Sequence, residues 1–378
     1  MPRPARILIA TPLYPPEIGG PATYTAILEK ELPKRGILVE ILPFREVRPL
    51  PKIVRHGAYF LRCLAKGRDC DILFAQDPVS VGLPSFLAAK IMGKRFFLKV
   101  VGDYAWEMEM QNLKIKNQDD NAKFINLEQF QIKKFGFITE FRRRVERFVA
   151  SKAERVIVPS EYLKKIILMW GVPPARIEVI YNSFPPPIVR QSRDELRQKL
   201  GLSGTVIVSV GRLVPWKGFA AIIELMPEVL AAVPDANLLI VGDGPERANL
   251  QLTTDNLQLK GVVKFLGRLR QKILSEYLAA ADVFVLNTGY EGFSHVILET
   301  LSLGLPVVTT PSGGNKEIIK DGDNGLLVGF NDKREFLRAI IRVIRDRAFR
   351  ELLSNRAKGS VEGFNVQSMV NNLTDILS

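Results

Sequence analysis

The sequence predicts an α/β chain of two doubly wound domains, each built on a parallel sheet. Three observations carry this. The chain has 378 residues, more than the roughly 250 to 300 at which a single hydrophobic core stops growing. Short β-branched runs alternate with longer amphipathic stretches through the first half, and the alternation restarts in the second. Between the halves, Pro185, Pro186 and Pro187 interrupt any regular element and make a semi-rigid connector.

In order along the first half, "RILIAT", "ILVEILPF", "DILFAQD", "RFFLKVVGD" and "ERVIVPS" read as buried parallel strands, separated by segments of helical length. The second half supplies "TVIVSVGR", "ANLLIVGDG", "VVKFLGR", "DVFVLN" and "PVVTT", with helix-like stretches such as "KILSEYLAAA" between them. The expected domains are 1–184 and 185–363. The last segment, 364–378, contains "NVQSMVNNLTDIL" with apolar residues at helical spacing, a terminal helix that can dock on either domain, including by a return to the first.

Composition narrows the class. Apolar residues make up 47% and charged residues 25%, the balance of a globular chain rather than a disordered one. No apolar run approaches the roughly 18 residues that span a bilayer, and the opening "MPRPARILIATPLYPP" is soon broken by proline, so a cytoplasmic protein is expected. Cys63 and Cys70 stand outside metal-ligand spacing with His56 and His295, and no metal site is expected. Net charge is +13 and uneven: residues 1–185 hold 30 Lys and Arg against 19 Asp and Glu, the remainder 23 against 21. A basic first half attracts anionic partners. One candidate surface is the stretch 104–150, which is basic toward its end and carries Phe135, Phe137, Phe141 and Phe148. It reads either as a solvated helix with phenylalanines facing the core or as a surface that meets a membrane or an acceptor.

The chemistry concentrates in the second half. "NTGYEGFSHVILETLSLGLPVV" follows a strand with a loop, and a helix is expected to begin near Ser294, a capping residue type. The first-turn amides around Ser294, Val296 and Ile297 then lie at the carboxyl edge of the sheet, where open α/β folds bind ligands and where helix starts bind phosphate. Glu299 falls on the helix, four residues beyond His295, and suits paired hydroxyls such as those of a ribose. Glu291 precedes the helix and can reach a group attached to the phosphates. A glycosidase pair should flank its scissile bond from opposite sides, so these two acids favour binding. "SVGRLVPWKGF" adds Arg212 and Lys217 at a strand end, a planar fork and a mobile point charge suited to a diphosphate. "LLIVGDGPER" runs a strand into Gly242 and Gly244, where a base or phosphate can approach the backbone closely. No complete dinucleotide fingerprint or phosphate loop accompanies it. "QDD" at Asp119 and Asp120 and "DGD" at Asp321 and Asp323 read as loops.

Together with "TPLYPPEIGGPATY", "VVGDYAWE", "VIVPSEYLKKII", "VIYNSF" and "FLGRL", these segments resemble the retaining glycosyltransferases of family 4 over nearly the whole chain. The resemblance implies the GT-B fold, two Rossmann-like doubly wound domains facing across a cleft. It implies that Arg212 and Lys217 hold the diphosphate of a nucleotide-sugar donor, that Glu299 binds its ribose and that Glu291 contacts its sugar. Phe293, Ser294, Val296 and Ile297 match the backbone that meets sugar and phosphate, Arg268 and Leu269 the base-contacting turn, and Gly19 and Gly20 the loop over the diphosphate. Many members carry a histidine in the loop after the fourth strand. Here that loop reads "VVGDYAWE", so Asp103 is either its polar counterpart or the cap of a helix beginning at Tyr104.

The expected activity is retaining hexosyl transfer from a UDP-sugar, or a GDP-sugar, to a glycan, lipid-linked or small-molecule hydroxyl, with no metal or further cofactor. Peripheral contact with an anionic membrane on the inner face is expected through the basic half, and nucleic acid is not an expected partner. The competing readings are a nucleotide-sugar 2-epimerase of the same architecture and a non-catalytic basic protein that binds membrane or nucleic acid.

Overall fold

The computed structural model describes residues 5–116 and 124–377; the "QDD" loop reading falls outside them. The first sheet is formed by β1 (Arg6–Thr11), β2 (Leu38–Pro43), β3 (Ile72–Ala75), β4 (Arg95–Lys99), β5 (Arg155–Val158) and β6 (Ile177–Val179), all parallel, in the order β2-β1-β3-β4-β5-β6. The second is formed by β7 (Thr205–Val210), β8 (Ala236–Val241), β9 (Val263–Gly267), β10 (Val283–Leu286), β11 (Val307–Thr309) and β12 (Leu326–Leu327), again parallel, in the order β12-β11-β10-β7-β8-β9.

Burial explains why the central strands read as unbroken apolar runs. Every residue of β3 and β10 is buried, because helices cover both faces of a parallel sheet, while edge strand β2 keeps exposed positions. Two strands escape the sequence pattern. β6 has three residues and β12 two, too few to show a run.

The chain divides into two compact units. One comprises 1–109, 125–184 and 364–378; the other comprises 110–124 and 185–363. In the first, Ile7, Ile9, Phe74, Phe97 and Ile157 share a core with Met369, Val370, Leu373 and Leu377 of the last helix, Val366–Leu377. In the second, Ile207, Leu238, Ile240, Val283, Val285 and Val308 pack against the helix Phe219–Ala232. That unit's first helix, Arg193–Leu200, has a full capping box between Ser192 and Glu195 and stops at Gly201 in the left-handed region, so its bounds are set locally.

In each sheet the chain turns to opposite sides of its first strand. The switch falls between β1 and β3 in the first and between β7 and β10 in the second. Loops at the carboxyl ends of these pairs diverge, and the crevice they leave is where such folds bind ligands.

Candidate functional site

At the switch point of the second sheet, two loops are stitched together. The one after β7 passes through Gly211 and Arg212 to a 3₁₀ turn, Pro215–Lys217, and ends at Gly218, whose φ of 56° is left-handed. The one after β10 carries Asn287 to Ser294. Trp216 O accepts from Gly289 N at 2.7 Å and from Thr288 Oγ1 at 3.2 Å. A side chain at Gly218 would bring its Cβ within 2.2 Å of Asn287 O, so only glycine lets the loops meet this closely.

The stitching delivers Lys217 to Glu291. Their side chains form an ion pair, each 14% exposed. Glu291 is fixed from behind, since its carbonyl accepts from Gly314 N at 2.9 Å. A Cβ at Gly313 would stand 1.8 Å from that oxygen. Arg212, exposed, leaves the same strand end.

The helix after this loop is His295–Ser302, and Ser294 occupies its N-cap. Its side chain makes no capping hydrogen bond, a difference from what the residue type suggests. Glu299 is 7% exposed. Burial pushes its carboxyl up to about 7, opposed by a hydrogen bond from Gln271 at the start of the helix Gln271–Ala280. Sequence reasoning missed Gln271, which lies 28 positions away on another helix.

Gly242 and Gly244 are also required by the protein's own backbone. A Cβ at Gly242 would sit 1.8 Å from Gly211 O, and one at Gly244 would sit 2.3 Å from Leu213 O. The close approach is that of the loop carrying Arg212, so these glycines shape the site through its backbone. Arg268, after β9, lies 3.8 Å from Asp243 Oδ2, with Leu269 beside it at the same edge.

In the first unit, Gly19 and Gly20 stand at the start of the helix Gly20–Glu31, with Gly19 at a φ of 155°. Asp103 is 1% exposed, and each of its oxygens accepts a hydrogen bond: Oδ1 from Trp106 N at 2.8 Å and Oδ2 from Gln131 Nε2 at 2.9 Å. Glu146 accepts from Tyr104 N at 2.7 Å, a second acid on the same helix start. Burial raises the carboxyls of both acids. The geometry makes Asp103 a helix cap.

Along the helix Phe137–Lys152, Phe137 is 84% exposed and Phe141 59%, with Ile138, Arg144 and Lys152 also outward. Phe148, partly exposed, packs edge-on against Phe86 at 5.6 Å, and Phe135, just before the helix, lies 4.6 Å from the buried Phe130. Thr139, Arg143, Glu146 and Val149 take the buried side. Among the described residues, no helix is long and apolar enough to cross a membrane, and no cluster of three His, Cys, Asp or Glu could hold a metal ion.

Residues 18–186 match the family described as Glycosyltransferase Family 4, and 192–360 match Glycosyl transferases group 1. The chain belongs to the family 4 glycosyltransferases. The lipopolysaccharide core biosynthesis glycosyltransferase LpsE of Rhizobium meliloti (strain 1021) is 39% identical over 158 residues, 42% of this chain and 45% of that protein, so the alignment spans under half of the relative. The N-acetyl-alpha-D-glucosaminyl L-malate synthase of Bacillus anthracis is 24% identical over 381 residues, 94% of this chain and 92% of the other. Anabaena Alr3699/HepE in complex with UDP-glucose shares the GT-B fold, with a TM-score of 0.77 at 20% identity over 98% of this chain and 99% of that one.

Proposed function

We propose that this chain transfers a hexose from a nucleoside-diphosphate sugar to a hydroxyl of a glycan, a lipid-linked saccharide or a small molecule, with retention of configuration and no required metal. The observation that carries the reading is the Lys217–Glu291 pair at the second sheet's switch point, beside Arg212 and the start of the helix His295–Ser302. Cleaving the bond between an anomeric carbon and a diphosphate leaves negative charge on phosphate and positive charge on the sugar. A cation and an anion held side by side match that separation before it develops, which is where electrostatic stabilisation is most effective. One helix start contributes about 0.3 to 2 kcal/mol to anion binding, against the roughly 8 to 23 kcal/mol of enzymatic acceleration. Arg212, Lys217 and exclusion of water therefore carry most of the effect. The departing diphosphate can take the acceptor's proton on the same face of the sugar, so no separate nucleophile is required.

A UDP-linked donor is preferred over a GDP-linked one, supported by the UDP-glucose bound to the Anabaena protein of like fold. The relatives named are a transferase and a synthase, which favours transfer over 2-epimerisation. The proposed location is the cytoplasmic face of an anionic membrane. Support comes from the basic first half and from the outward Phe137, Ile138 and Phe141, together with Arg144 and Lys152. The test of the reaction is Arg212→Ala and Lys217→Ala, assayed with UDP- and GDP-hexoses, with and without EDTA. Each variant should keep its fold and lose turnover by about 100-fold or more. Turnover close to wild type in both would refute the leaving-group role.

A further inference from the structure

The first unit has a second concave surface, at the end of its sheet away from the switch-point loops. The amino ends of β4, β5 and β6 meet there, and the helices Leu83–Met92 and Phe137–Lys152 both stop beside them. The hollow they leave has a volume of about 400 Å³, within the range of ligand pockets. Buried Phe86 and Phe96 form its floor. Its charged lining is Lys90, Lys94, Arg95, Lys152 and Arg176, with Glu154 the one acid among the described residues. Gly93, left-handed at a φ of 65°, turns the chain from the first helix directly into β4, which gathers Lys90, Lys94 and Arg95 at one bend.

Part of this charge has a local explanation. Lys90 and Lys152 stand in the last turns of the two helices, whose ends each carry about half a negative charge. Arg176 Nη1 donates to Ser151 O at 3.3 Å, one of the carbonyls at the second of those ends. Arg95 is committed: Nε and Nη2 donate to Glu154 Oε1 at 3.1 and 2.9 Å, and Nη1 donates to Leu377 O at 3.3 Å. The remainder does not cancel. Against five cations, one carboxylate and two helix ends leave about three positive charges around a single hollow. Among the described residues, no carboxylate pairs with Lys90, Lys94, Lys152 or Arg176. Like charges gathered in this way repel one another, a cost that a bound anion removes.

The side chains also select the anion. Three of the four unpaired cations are lysines, mobile point charges that suit the tetrahedral oxygens of phosphate, while the fork of Arg95, the geometry that grips a planar carboxylate, already holds Glu154. We propose that this hollow, formed by the first unit alone, is a phosphate-binding site that takes a phosphate monoester or a diphosphate. The inference does not depend on the proposed transfer reaction. Its ligand arrives on a soluble molecule or on an anionic lipid headgroup; in the second case Leu87 and Ile91, exposed on the helix that carries Lys90, would meet the acyl chains.

Two arms test the site and its source. The first is calorimetry with inorganic pyrophosphate in the presence of saturating UDP. Lys90→Gln with Lys94→Gln should weaken binding about tenfold or more, the effect of one lost charged hydrogen bond. Lys30→Gln with Lys165→Gln removes equal charge from exposed positions of the same unit outside the hollow, and should change binding less than about twofold. Both variants should melt within about 2 °C of the wild type. The second arm is co-sedimentation with phosphatidylglycerol vesicles, with phosphatidylcholine vesicles as the blank. A matching loss in the hollow's variant, and not in the control, assigns the site to a lipid headgroup; pyrophosphate binding lost with sedimentation unchanged assigns it to a soluble phosphate. A wild type that ignores pyrophosphate while the hollow's variant keeps its vesicle binding, or equal losses in both variants, would overturn the proposal. A wild type that does not bind UDP would instead sink the donor reading and leave the pyrophosphate titration to decide the hollow.

Discussion

Lys217 and Glu291 pair across 74 positions of sequence, and each is held by a backbone that only glycine permits, at Gly218 on one side and Gly313 on the other. Glu291→Gln leaves the lysine in place without its acid. Turnover should fall about 10- to 100-fold, while free UDP, measured by calorimetry, should bind at least as tightly as to the wild type, because a negative charge near the phosphates is gone. Weaker UDP binding would place Glu291 at the nucleotide instead of the sugar.

Glu299 gives the site a pH signature. Its native carboxyl titrates at about 7, and the ionised form is the better acceptor for ribose hydroxyls. Nucleotide binding therefore favours the deprotonated state, and affinity should climb as pH rises from 6 to 8. The stability effect runs the other way. Between the ordinary carboxyl value near 4.3 and 7, the native chain retains a proton that the unfolded chain has lost, so this group's contribution declines as pH rises through that window. Glu299→Gln should flatten both trends, as read by UDP titrations and melting curves from pH 5 to 8.

Gly242→Ala tests the backbone crossing beneath Arg212. Its Cβ would fall 1.8 Å from Gly211 O, at a φ of 135°, and a loss of about 3 kcal/mol or more is expected by denaturant unfolding. Gly261→Ala is the control, with a φ of 88° and no atom within 4 Å of the new Cβ. It should cost only the conformational strain, about 1 to 2 kcal/mol.

Asp103→Ala should behave as the loss of a cap. Trp106 N loses its side-chain acceptor and Gln131 Nε2 keeps only Leu127 O, and stability should drop by about 1 to 3 kcal/mol. Turnover below the melting transition should remain within about threefold of wild type. A loss of 100-fold with an unchanged melting temperature would restore a direct role at the acceptor.

The outward face of the helix Phe137–Lys152 predicts lipid binding that depends on both charge and apolar contact. Phe137→Ser with Phe141→Ser should abolish co-sedimentation with anionic vesicles and leave the melting temperature within about 2 °C, since surface changes rarely exceed 0.5 kcal/mol. High salt should weaken the wild type as well. Equal binding to neutral vesicles would contradict the charge argument.

Much of this was legible in the sequence, and the gaps have physical causes. Central strands announce themselves because burial on both faces demands continuous apolar residues, as in "ILFA" and "VFVL". "IEV" and "LL" are too short for any such signal. Arg212, Lys217 and Glu291 lie in loops at strand ends, where turn residues punctuate the pattern, and Glu299 lies inside the helix that follows. The orientation of Phe137 and Phe141 stayed open because an apolar residue on a basic helix fits either a core or a surface.

The helix Val366–Leu377 completes the core of the first unit, with Leu377 only 2% exposed. During synthesis, the core of the first unit cannot close until residues 366–377 have left the ribosome, while the second unit, which uses nothing beyond residue 363, can close earlier. Until then nascent chains would expose the unfinished apolar surface beside Ile7 and Phe74.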